Sequence, residues 1–170
     1  FIGKEPNMTK AKNARGYAHK MKMVTLVDRT TKKAKSIVVD DLKKPTLIPM
    51  LQENIAKEAY VMTDEATQYQ NIGAGRVFDA HGWTQHGAGQ YVDYNDSETH
   101  TNRVEGFYSI FKRGRKGVYQ HCGKQHLHRY AAEFDFRYNN RIANGVDDVE
   151  RGQIALRGVV GKRLSYKSTD

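Results

Sequence analysis

The chain has 170 residues, with 28 Lys and Arg against 19 Asp and Glu, a formal charge of +9. Such an excess contributes nothing to a fold and points to a polyanionic partner, nucleic acid first and an acidic membrane surface second. One domain with a real core is expected at this length; the aromatic content (Tyr 10, Phe 6, Trp 1) argues against disorder throughout, and the single cysteine, Cys122, excludes an internal disulfide and a multi-cysteine zinc site.

In chain order, Lys22 to Asp28 and Lys35 to Val39 are rich in β-branched residues and are separated by Arg29-Thr30-Thr31-Lys32-Lys33, which predicts a β-hairpin. Between Pro45 and Lys57 the apolar Leu47, Ile48, Leu51 and Ile55 form a helical stripe behind a proline entry. Ala59 to Thr63 reads as a short buried strand that delivers Asp64 to its end. Residues 71–99 are rich in glycine and read as loop, with a short strand possible at Gln90 to Asp93. From Thr101, the residues Val104, Phe107, Tyr108 and Phe111 mark a helix ending before Gly114. A further helix from about His126 to Asn140 buries Leu127, Tyr130, Ala131, Phe134 and Tyr138, and the aromatic set including Phe136 is expected in the core. The order strand, strand, helix, strand, helix, helix is mixed α/β. No linker precedes a C-terminal tail, and no apolar run is long enough to span a membrane, so a cytoplasmic protein is expected.

The charge is uneven along the chain: +8 over 1–44, −6 over 45–99, +6 over 100–129 and +1 over 130–170. An acidic stretch in a protein that binds a polyanion is either a solvated face or a group of carboxylates gathered around a cation. Asn102, Glu105, Ser109 and Lys112 fall on one face of the helix that starts near Thr101. If Glu105 points at the end of the strand carrying Asp64, the two acids can share a divalent ion, since Mg²⁺ takes a few carboxylates and keeps water and substrate phosphate for its other positions. The plain alternative is an amphipathic helix with a solvated polar face. The run Lys112-Arg113-Gly114-Arg115-Lys116-Gly117 is either a solvated turn or a phosphate clamp whose glycines let the backbone approach a duplex. His121, Cys122, His126 and His128 do not have the spacing of a common zinc site, and contact with backbone or DNA phosphate is the better reading. Trp83, beside His81 and His86, is either part of a DNA-facing loop or core filler.

The stretch His100-Thr101-Asn102-Arg103-Val104-Glu105-Gly106-Phe107-Tyr108-Ser109-Ile110-Phe111-Lys112-Arg113-Gly114 resembles the C-terminal half of the DDE transposases of bacterial insertion sequences, in the ISXO-type branch related to Merlin elements. So do Gly117 to His121, His126-Leu127, Arg129-Tyr130, Glu133-Phe134 and Phe136 to Asn139 with Arg141. Phe1 to Lys4 is similar to the segment just after the family's first catalytic aspartate, and Thr63-Asp64 is similar to its second.

The resemblance implies an RNase H-like mixed sheet flanked by helices over residues 1–145, with 146–170 as the tail. It implies metal-dependent strand cleavage and transfer at transposon ends, on double-stranded DNA, by a homo-oligomer associated with the bacterial nucleoid and using Mg²⁺ or Mn²⁺. Asp64 becomes the second catalytic acid, Glu105 the third and Lys112 the following basic residue, with Arg103, Arg113, Arg115 and Lys116 beside it on the DNA. Asn102 competes for the third position; Glu105 is preferred because a carboxylate neutralises and holds Mg²⁺ better than an amide. The first aspartate is expected just before Phe1, and without it this stretch should bind metal weakly and cut poorly. The reading from another class is a DNA-binding remnant with no catalysis, and a zinc hydrolase built on the histidines ranks last.

Overall fold

In a computed structural model of the chain, residues 20–84 and 101–162 are described. Strands β1 (Lys22–Val27) and β2 (Ala34–Val39) form the antiparallel hairpin, with Lys22 opposite Val39 and Val27 opposite Ala34. Asp28 closes its turn, accepting from the Thr30 amide at 2.8 Å and the Thr31 hydroxyl at 2.5 Å. These bonds hold the Asp28 carboxyl below its usual range, which makes it a turn residue rather than a ligand.

Alternation along the hairpin sends side chains to two opposite cores. Val24 and Val39 pack on Leu47 of helix α1 (Lys44–Asn54), whose entry is shaped by Pro45. Met23 and Ala34 pack on the other side against Phe107 and Phe111 of α2 (Asn102–Gly114) and against Leu127, Ala131, Phe134 and Tyr138 of α3 (Leu127–Asn139). The hairpin is thus the middle layer of a mixed α/β arrangement. Helix α3 also covers the outer edge of β2. Asn139 accepts from the Ala34 amide at 2.6 Å and donates to the Ala34 carbonyl at 2.9 Å, while Asp135 accepts from the Ser36 amide at 2.6 Å and the Ser36 hydroxyl at 2.7 Å. Residues four apart on a helix therefore satisfy backbone groups two apart on a strand, and the edge is closed to further pairing.

The second sheet consists of β3 (Tyr60–Asp64) and β4 (Ala80–Thr84), which run parallel with Tyr60 opposite Ala80 and Asp64 opposite Thr84. Val61 faces the α1 side, where Leu51, Ile72 and Phe78 form its core, and Leu26 of β1 packs against both α1-side clusters. A final helix, α4 (Asp148–Arg157), starts at an Asp147 cap that accepts from the Glu150 amide at 2.8 Å.

Several expectations change. Residues 71–84 are not all loop, because β4 lies among them; the strand considered at Gln90 to Asp93 falls outside the described residues. Strand β3 is half-buried with Tyr60 exposed, since only its Val61 face meets a helix core. Helix α2 runs through Gly114 and continues into a π-helical turn, Arg115–Tyr119. A Cβ on Gly114 would come within 2.4 Å of the Phe134 ring, so that glycine serves close helix packing rather than approach to a duplex. The segment expected as tail contains α4. Tyr130 and Phe136, expected in the core, are only half-buried. Among the described residues no helix is long and apolar enough to cross a membrane.

Candidate active site

Asp64 is the last residue of β3, at the carboxyl end of the parallel pair, the end where α/β sheets present their ligands. The strand ends there because the chain turns at once into a 3₁₀ turn, Thr67–Tyr69, and Asp64 Oδ1 accepts from the Ala66 amide at 3.2 Å. The carboxylate is exposed.

Two side chains bear on this strand end, Tyr69 by electrostatics and Arg29 by hydrogen bonds that reach α2. Burial first, then the Asp64 carboxylate and Tyr108 of α2, push the Tyr69 phenol up to about 12, so Tyr69 stands as a neutral O–H within the field of both groups. Tyr108 is itself tied to the hairpin by its hydroxyl, which donates to the Met23 carbonyl at 2.9 Å. The second is Arg29 at the hairpin tip. Its Nη1 donates to the Met62 sulfur at 2.9 Å, and Met62 lies two residues before Asp64 on the same face of β3. The Arg29 carbonyl in turn accepts from Nη1 of Arg103 on α2 at 3.2 Å. Nothing in the sequence marked Arg29 or Tyr69, because each acts through contacts distant in the chain.

On α2, Asn102, Arg103, Glu105, Ser109 and Lys112 are all exposed, as the helical spacing required, while Phe107 and Phe111 are buried on the opposite stripe. Glu105 Oε1 accepts from the hydroxyl of buried Thr101 at 2.7 Å, which fixes the carboxylate near the start of the helix. Lys112 lies 6.0 Å above the Tyr108 ring, one turn along. Beyond it, Arg113 and Lys116 are exposed, whereas Arg115 is half-buried, with its Nε buried and without a hydrogen-bond partner among the described residues. The Cys122 thiol close to Arg115 is buried in the core and pushed up by that burial. His121, His126 and His128 are exposed.

Beside Asp64 opens a cleft of about 240 Å³, lined among others by Asp64, Tyr69, Gln70, Asn71, His81 and Trp83. Trp83 is neither loop nor core filler: it stands on β4, opposite Thr63, with 48% of its surface exposed. His81 Nε2 and the Thr63 hydroxyl share a hydrogen bond of 2.9 Å, and burial lowers the imidazole below its usual range.

The donors are oxygens, which suit a hard divalent cation. Among the described residues, no three or more His, Cys, Asp or Glu side chains are gathered where a metal could sit. The geometry therefore offers an exposed acid at the end of a strand that is joined through Arg29 to a helix with an acidic and basic outer face.

The model of the ISXO2-like transposase domain matches residues 1–139. Searches of curated proteins and of solved structures find no match. With most of its length matched, and with Asp64, Asn102, Glu105 and Lys112 inside the matched span, the chain belongs to the ISXO2-like transposase domain family.

Proposed function

We propose that this transposase domain cleaves and transfers DNA strands at insertion-sequence ends in a metal-dependent reaction, with Asp64 and Glu105 as metal ligands. The observation that carries the proposal is the exposed Asp64 carboxylate at the end of β3, a strand whose Met62 is joined through Arg29 to Arg103 on α2, the helix that carries Glu105. Mg²⁺ or Mn²⁺, when bound, would activate the attacking oxygen and stabilise the leaving one. The chain's own residues then have separate tasks. Asp64 and Glu105 supply negative oxygen donors from two elements. Tyr69 stays protonated and can hold a hydrogen bond beside Asp64 across the physiological pH range. Lys112, Arg113 and Lys116 present cations to the phosphates of a duplex lying along α2, with Arg103 at its start.

An RNase H-like fold belongs to the same proposal. Its support is the order of an antiparallel hairpin between helical layers, a helix, and a parallel pair with one face on the α1 side. Glu105 is preferred to Asn102 as the third position for its charge, and its bond to Thr101 shows that its carboxylate also helps order the helix start. As in the family reading, a homo-oligomer would bring two ends together.

The test is cleavage of DNA carrying the cognate ends, in Mg²⁺ or Mn²⁺, by the polypeptide as its gene encodes it. Asp64→Asn and Glu105→Gln should each lower the rate by on the order of 10²–10³-fold, as expected for loss of one preorganised charged group. Binding without cleavage would favour the reading of a non-catalytic DNA-binding domain.

A further inference from the structure

The cleft beside Asp64 does more than flank an acid, and we infer that it seats one unpaired nucleobase, stacked on the indole of Trp83. This rests on the reading of DNA as the substrate and adds to it how the strand is held. Tryptophan is on average highly buried in folded proteins, yet Trp83 is 48% exposed and lines an open cleft. An aromatic face left open in a domain that handles nucleic acid is a stacking platform, because every base presents a π face to it.

Size and lining agree. At about 240 Å³ the cleft is smaller than sites that enclose a drug-sized molecule, roughly 300–1,000 Å³, and suits one planar ring system better than a whole nucleotide pair. The amides of Gln70 and Asn71 offer donors and acceptors to the hydrogen-bonding edge of a base. Lys44 donates to the Gln70 carbonyl at 2.8 Å, which puts an ammonium at the rim, where the backbone phosphate of that nucleotide would pass.

The cleft is also preformed. Asn71 adopts a left-handed backbone at φ 63°, a conformation Asn tolerates better than most residues. Gly73 lies so close to His81 that a Cβ there would meet the His81 Cβ at 2.7 Å. His81 is in turn held by Thr63 at 2.9 Å, on the strand that carries Asp64. The wall, the platform strand and the acid thus form one connected unit. A base drawn into the cleft leaves its own phosphate at the mouth, beside the Asp64 carboxylate, so the seat selects strands whose bases are unpaired where the chemistry occurs.

Trp83 is the single tryptophan of the chain, so its emission reports on the cleft alone. The full chain is titrated with a fluorescein-labelled oligothymidylate of about ten nucleotides, within the span one binding fold covers, with an abasic strand of the same length and charge, and with a duplex. Oligothymidylate should quench the Trp83 emission, and the abasic strand should bind without quenching. By anisotropy, Trp83→Ala should weaken oligothymidylate binding by about tenfold, near the low end of what one stacked base contributes, and leave abasic binding unchanged. Trp83→Phe should retain most of the affinity. Equal quenching by the abasic strand, or the same loss on both strands in Trp83→Ala, overturns the base seat while leaving DNA binding in place. Absence of binding to every strand and duplex at low salt overturns the DNA reading itself and the base seat with it.

Discussion

At the scale of single residues, the positions that matter most here are constrained by neighbours far away in sequence. Gly114 is one. Its place against Phe134, whose ring also meets Phe111 edge-on at 4.8 Å, leaves no room for a methyl group. Alanine favours a helix over glycine by about 1 kcal/mol, but overpacking costs about 1–3 kcal/mol, so Gly114→Ala is expected to lower stability by up to about 2 kcal/mol, read from the urea midpoint. His81 is another. Burial holds its imidazole below the usual 6.5, so the folded state keeps it neutral where the unfolded chain takes up a proton. Its contribution to stability is complete above the unfolded value and is lost as pH falls through that value toward the folded one. Melting between about pH 7.5 and 5.5 should therefore show a smaller drop in Tm for His81→Gln than for the unchanged chain.

At the scale of elements, the hairpin and the helices α1, α2 and α3 were legible because their patterns are local: β-branched runs of period two, and apolar residues three and four apart. The exposed face of Asn102, Glu105, Ser109 and Lys112 followed from the same periodicity. Strand β4 was not legible. Ala80-His81-Gly82-Trp83-Thr84 has a glycine at its centre and little β-branching, and it becomes a strand through parallel pairing with β3, a contact no local pattern encodes. Helix α4 does carry a start signal, Asp147 three residues before Glu150, but it buries none of its residues and so lacks the strong apolar stripe that marks the other helices. The clamp of α3 on β2 was equally hidden, since it joins Asn139 to Ala34 and Asp135 to Ser36 across the chain. It yields a direct prediction. Asn139→Ala strands the amide and carbonyl of buried Ala34 and should cost about 1–3 kcal/mol per unsatisfied group, measured by chemical denaturation.

For the whole molecule, the uneven charge is the property most directly tied to the proposed function. The second basic block surrounds the acid on α2, and there the structure sorts its members: Arg113 and Lys116 are exposed, while Arg115 turns partly inward near Cys122. Replacing Arg113 and Lys116 by Ala should weaken duplex binding and reduce the slope of log K against log[salt] by about one for each phosphate no longer neutralised, whereas Arg115→Ala should act mainly on stability. Titrations at several salt concentrations separate the two effects. The candidate site was legible as two residue types on two elements, Asp64 and Glu105. What joins their two elements, Arg29 between Met62 and Arg103, emerges only when the hairpin tip, β3 and α2 are brought together.

The central claim is that Asp64 and Glu105 act as a pair in metal-dependent strand cleavage. Its most direct test is the rate of Mg²⁺- or Mn²⁺-dependent nicking at cognate DNA ends for the gene-encoded polypeptide, compared with Asp64→Asn, Glu105→Gln and Asn102→Ala at matched DNA occupancy. Losses on the order of 10²–10³-fold are predicted for both carboxylate changes, with a smaller loss for Asn102→Ala. Cleavage that survives Glu105→Gln but is abolished by Asn102→Ala, or that survives Asp64→Asn, would contradict the pairing.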